Sequence, residues 1–131
     1  MDMKKRVNGK AKGSTFEREV RKDLEGKYPF VKTCRLANRL LDNCGVDLDG
    51  IPFLIQCKAG YDNITFKYEK EYNYTISELK KNFPPESHYH NLPYIFIHKK
   101  NSVRGKARPP ELTQVTMSYE TFLRLINADI R

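Results

Sequence analysis

The stretch Gly45-Val46-Asp47-Leu48-Asp49-Gly50-Ile51-Pro52-Phe53-Leu54-Ile55-Gln56-Cys57-Lys58 constrains the fold more than any other. Two apolar runs, Val46–Leu48 and Phe53–Lys58, flank a turn made of Asp49, Gly50, Ile51 and Pro52, the pattern of a β-hairpin. Pro52 has no N–H for a ladder and belongs to the turn or the first strand position. Alternate strand residues share a face, so Gln56 and Lys58 point one way while Phe53, Ile55 and Cys57 point the other. If the turn spans Asp49 to Pro52, Leu48 pairs with Phe53 and Asp47 with Leu54. Asp47 then joins the face of Gln56 and Lys58, on a diagonal of roughly 7–8 Å from Gln56. A two-residue turn would carry Asp47 too far away to share an ion with Gln56.

A carboxylate, an amide oxygen and a lysine on one strand face suit phosphodiester hydrolysis. That reaction needs a hard cation to neutralise the scissile phosphate and acidify a bound water. Mg²⁺ takes oxygen ligands and retains waters. Asp47 supplies an anionic oxygen and Gln56 a neutral one, and Lys58 can position the attacking water or stabilise the charge that develops. Each residue also has an ordinary reading. Asp47 beside Asp49-Gly50 is a common turn arrangement, and Gln-Cys-Lys is a frequent triplet.

Around the hairpin, helices and strands interleave. Residues 1–12 read as a flexible basic arm, followed by one domain over residues 13–131. Ser14-Thr15-Phe16-Glu17 has the form of a capping box that opens a helix, with Phe16, Val20 and Leu24 as its apolar stripe and Gly26 as its stop. Residues 30–35 form a short strand, and residues 36–43 have no clear period. Ile64, Phe66 and Tyr68 alternate as a strand or extended loop. Thr75-Ile76-Ser77-Glu78 repeats the capping box for a short helix ending near Asn82. Residues 94–98 read as a buried strand, 99–110 as a loop and 112–117 as a strand, and Ser118 caps a final helix. The order is helix, about three strands, helix, two strands, helix, which implies an α/β fold bordering on α+β: a small mixed sheet with helices packed on it.

The chain of 131 residues has 24 Lys and Arg against 16 Asp and Glu, a net +8. A small domain so basic is suited to an anionic partner, nucleic acid first among them. Lys4, Lys5, Arg6, Lys10 and Lys12 crowd the start, and Lys99, Lys100, Arg104, Lys106 and Arg108 fill a later stretch without an acid. These groups suit sequence-tolerant contacts to the DNA backbone. Arg35 and Arg39 stand where they could hold phosphates, with solvated surface as the equal alternative. No apolar run approaches the ~20 residues of a membrane span, and nothing at the start reads as a secretory signal. Three cysteines without CxxC spacing favour reduced thiols in an intracellular, cytoplasmic protein. His88 and His90 lack further zinc ligands at conventional spacing and read as surface. Cys57 reads as core, not as a nucleophile. Tyr68, Tyr72 and Tyr74 could stack on bases or pack at the rim of the core.

Asp47 followed after a hairpin by Gln56-Cys57-Lys58 resembles the signature of the PD-(D/E)xK nuclease superfamily. Upstream, Lys12-Gly13-Ser14-Thr15-Phe16-Glu17-Arg18-Glu19-Val20 resembles the opening helix of archaeal-type and phage Holliday junction resolvases, and Gln114 to Ala128 fit that fold's closing strand and helix. The resemblance implies a restriction-endonuclease-like core and cleavage of DNA at four-way junctions by a homodimer. It further implies Glu17, Asp47 and Gln56 as ligands of Mg²⁺, or of Mn²⁺ in its place, with Lys58 as the catalytic lysine. Two positions depart from the pattern. Gln56 stands where an acid is usual, which removes a negative charge and leaves a degenerate, nucleic-acid-binding relative as the alternative; a duplex-cutting repair or restriction-type nuclease shares the same motif. Val46 stands where proline is common.

Overall fold

The computed structural model describes residues 9–59, 68–99 and 113–129. Five strands form one sheet in the order β1-β2-β3-β4-β5, running over Lys32–Thr33, Leu48–Asp49, Leu54–Ala59, Tyr94–Lys99 and Thr113–Met117. The β3–β4 pair is parallel and every other neighbouring pair antiparallel. A parallel pair needs a long crossover, and helix α4 (Tyr68–Asn82) supplies it. The other helices are α1 (Gly9–Leu24), the short α2 (Cys34–Ala37) and α3 (Arg39–Asn43), and the closing α5 (Tyr119–Asp129). The expected alternation of helices and strands, and the α/β class, hold.

Two apolar clusters flank the sheet, and β3 contributes to both. Ile55 and Cys57 pack with Phe16 and Val20 of α1. Leu54 packs with Leu41, Leu79 of α4, and Tyr94 and Phe96 of β4. A strand covered on both faces is buried at successive residues, and Leu54 through Cys57 all are. Gly50 sits at φ +77° in the β2–β3 turn, and a Cβ there would collide with the Phe30 carbonyl. Only glycine accommodates both demands at little cost.

Local helix signals misled at two places. Helix α1 begins at Gly9, so residues 9–12 form its first turns and not the end of an arm; Lys10, Ala11 and Lys12 are good helix formers. Residues 1–8 lie outside the described residues. The Ser14 hydroxyl caps nothing: it accepts from Arg18 Nη1 at 2.9 Å. Thr75 is likewise an interior, fully buried residue of α4 and no N-cap. Tyr68 opens that helix and belongs to no strand, because Tyr68, Tyr72, Ile76 and Leu79 recur at helical spacing and can bury against Tyr94; Ile64 and Phe66 lie outside the described residues. Elsewhere the local signal held. Ser118 Oγ accepts from Thr121 N–H at 3.0 Å and caps α5. His88–Asn91 form a 3-10 turn in which the His90 ring bonds the Pro84 carbonyl at 2.9 Å. Cys57 is core, and burial pushes its thiol pKa far up.

Candidate active site

The hairpin register is closer than the sequence implies. Leu48 pairs with Ile55, which sets Asp47 across from Gln56 and not, as expected, from Leu54. Residues 50–53 make the connection, so the turn keeps four residues and sits one position later than Asp49–Pro52. Asp47 N–H donates to the Ile55 carbonyl at 2.7 Å, and the Asp47 carbonyl accepts from Cys34 N–H at 2.8 Å. The Asp47 side chain then enters the ladder itself: Oδ2 accepts from Cys57 N–H at 2.7 Å. The carboxylate is thereby anchored on the backbone N–H of Cys57, the residue between Gln56 and Lys58.

Electrostatics mark Asp47 as unusual. Its pKa is pushed up to about 7, chiefly by burial and next by the negative charge of Glu17, while the Cys57 N–H and Lys58 pull it down. Glu17 comes from α1 and Lys58 from β3, and the charges of both reach Asp47. Glu17 itself is buried and held in a fork by Arg35: Nε to Oε1 at 3.3 Å and Nη2 to Oε2 at 2.9 Å. Arg35, expected as a phosphate contact or as solvated surface, makes a two-bond clamp on a buried acid. The alternative of Glu17 as a capping-box residue is excluded by its place within α1.

Gln56 faces α4. Its Nε2 donates to Glu71 Oε1 at 3.1 Å, and its Oε1 accepts from the Tyr94 hydroxyl at 2.6 Å. An ionised carboxylate only accepts, so Glu71 fixes which end of the amide is which. Burial, then Glu71, pushes the Tyr94 pKa far up and keeps that hydroxyl a donor. Lys58 stands opposite the buried His98 of β4. Sequence reading missed both Glu71 and Tyr94. The available signal was helical spacing: Glu71, Thr75 and Glu78 share one side of α4, but the segment's alternation suggested an extended chain.

Among the described residues no three His, Cys, Asp or Glu side chains are grouped to hold a metal ion. A cation at this site would draw on two carboxylates, Glu17 and Asp47, and the amide oxygen of Gln56, completed by water. That all-oxygen set fits Mg²⁺ or Mn²⁺, and the pKa of Asp47 is raised chiefly by burial and next by the charge of Glu17.

The expected DNA contacts are scattered. Lys4, Lys5, Arg6, Lys100, Arg104, Lys106 and Arg108 lie outside the described residues. Lys10 and Lys12 fall in the first turns of α1, and Arg39 is exposed at the start of α3. Lys99 ends β4, pairs with Glu19 at 3.3 Å and lies 5.7 Å from the centre of the Phe16 ring. Tyr68 and Tyr72 pack on Tyr94, while Tyr74 is exposed. No helix among the described residues is long and apolar enough to cross a membrane. No family model, curated protein or solved structure matches this chain.

Proposed function

We propose that the chain is a metal-dependent endonuclease of the PD-(D/E)xK type, hydrolysing phosphodiester bonds in DNA. One observation carries this reading: a desolvated Asp47 carboxylate anchored on the Cys57 N–H between Gln56 and Lys58. The element order supports a restriction-endonuclease-like core, with α1 ahead of an antiparallel β1–β2–β3 unit and α4 leading to a parallel β4. The net charge of +8 supports a polyanionic substrate.

Mg²⁺ or Mn²⁺, when bound, would neutralise the scissile phosphate and acidify a water. Glu17, Asp47 and Gln56 Oε1 are the groups that would hold it. Arg35 supplies Glu17 with a counter-charge and can pass to a phosphate oxygen when that carboxylate is otherwise engaged. Lys58, whose charge reaches Asp47, offers a cationic donor to the attacking water or to the phosphate as negative charge grows. A four-way junction is the proposed substrate and a homodimer the working unit, since paired cuts in opposing strands need two sites.

The test incubates a labelled four-way junction and a linear duplex with Mg²⁺ or Mn²⁺, comparing wild type with Lys58→Ala. Metal-dependent cleavage by wild type alone, faster on the junction, is the expected result. Faster cutting of the duplex moves the substrate to a repair or restriction type. A second reading is a nucleic-acid-binding module with a decayed site, favoured by the Arg35 clamp on Glu17 and by the neutral Gln56. If both proteins bind DNA and neither cuts it, that second reading replaces the first.

A further inference from the structure

The candidate site is one negative charge short. Gln56 is neutral where a nuclease of this type usually carries an acid, and the charge of Glu17 is matched by Arg35. A third carboxylate nevertheless stands against the cluster. Glu71, half-buried on α4, accepts from Gln56 Nε2 at 3.1 Å, and Gln56 and Tyr94 are both buried. The amide is thus fixed at both ends, with Tyr94 O–H on Oε1. A carbonyl oxygen has two lone pairs, so Oε1 keeps one. Gly45 and Thr75 stand beside that oxygen. A Cβ placed at Gly45 would lie 3.7 Å from Gln56 Oε1 and 2.9 Å from Thr75 Oγ1. Gly45 is only two residues before Asp47, and the fully buried Thr75 hydroxyl beside it has no hydrogen-bond partner among the described residues. Backbone without a side chain, at Gly45, and the Thr75 hydroxyl therefore lie close to the oxygen.

On the nuclease reading above, we propose that Glu71 is a positioning residue of the metal site. It acts through Gln56, aligning the amide so that Oε1 is presented as a ligand and restoring, one hydrogen bond away, the negative charge that Gln56 lacks. Outer partners that orient a ligand in this way typically contribute about 10–100-fold to metal affinity.

A charge swap across the one hydrogen bond separates this role from simple packing. In Glu71→Gln the new side chain can still accept from Gln56 through its own Oε1, so a structural hydrogen bond survives while the charge is lost. In the double variant Gln56→Glu/Glu71→Gln the charge moves to position 56, and the hydrogen bond reverses with Gln at 71 as donor. Mn²⁺ affinity, measured by titration of the metal alone, is expected to fall about tenfold in Glu71→Gln and to return to within about threefold of wild type in the double variant, with melting temperatures of the metal-free proteins unchanged. Cleavage should follow the same order. Wild-type affinity in Glu71→Gln overturns the role of Glu71. So does a loss that the double variant leaves unrepaired. Mn²⁺ binding that follows the expected order without cleavage of any DNA by wild type keeps the role of Glu71 and removes the nuclease reading. Wild type that binds no Mn²⁺ removes both.

Discussion

Asp47 and Asp49 are the same residue type, two positions apart on one extended segment, and the fold treats them in opposite ways. The Asp49 carboxylate is saturated: the Tyr89 hydroxyl lies 3.0 Å from both oxygens, Asn38 Nδ2 donates to Oδ2 at 3.1 Å, and Gly50 N–H donates to Oδ1 at 2.8 Å. Among the described residues, Asp47 receives one N–H bond, from Cys57, and feels the charge of a buried acid, Glu17. Asp49 ties β2 to the 3-10 turn and has little capacity left to offer. Asp47 is charged only at a cost, which a cation would remove. What separates the two aspartates is the set of donors around each, and the sequence does not carry that set.

The largest effect expected from this contrast is on cleavage. Removing one preorganised charge at a reacting phosphate costs about 10²–10³-fold in rate. Asp47→Asn should lose at least that much, while Asp49→Asn should cut DNA within a few-fold of wild type under conditions where it is folded. Rates measured on the same junction substrate check this, and equal losses in the two variants would erase the contrast.

The next effect is on stability against pH. The Asp47 pKa rises from 3.8 in an unperturbed chain to about 7 in the fold. The folded protein therefore holds the proton more tightly than the unfolded chain. The stability this group contributes is fully present below about pH 4 and is lost as pH rises toward 7. At about 1.4 kcal/mol per unit, the loss in metal-free protein reaches at most about 4 kcal/mol. Denaturant titrations from pH 4 to 8 should show this component in wild type and not in Asp47→Asn. Background pH dependence common to both proteins cancels in the comparison.

Smaller effects fall on the structural aspartate. Asp49→Asn replaces acceptor lone pairs with donors in front of Asn38 and Gly50, and should cost about 1–3 kcal/mol. Tyr89→Phe removes one donor to Asp49 and should cost about 1 kcal/mol, with cleavage untouched. Either change producing a cleavage defect larger than its stability defect would draw Asp49 into the active site.

The same distinction between local and distant signals explains how far the sequence could be read. Strands β3, β4 and β5, the Ser118 cap and the inward Cys57 were legible because each is written in a period or cap within a few residues. That Asp47 lies close to the strand of Gln56 and Lys58 was legible too, since the hairpin pattern brings the two segments together. The register itself was not: it depends on Gly50 meeting the Phe30 carbonyl, across the sheet. Two capping boxes were read that the fold does not use, because Ser14 and Thr75 lie inside helices extended by propensity and by packing on Tyr94. The partners of the site, Arg35 on Glu17 and Glu71 on Gln56, lie 18 and 15 residues away in sequence. No local pattern announces them.

The central claim is that the Asp47 carboxylate is held desolvated for a cation. It is tested most directly by the gain in melting temperature on adding Mg²⁺ at pH 8, compared between wild type and Asp47→Asn. The expected result is a clear gain in wild type and little or none in Asp47→Asn, whose metal-free form already melts higher than metal-free wild type at that pH. Equal gains in the two proteins, or a metal-free Asp47→Asn that melts no higher than wild type, would contradict it.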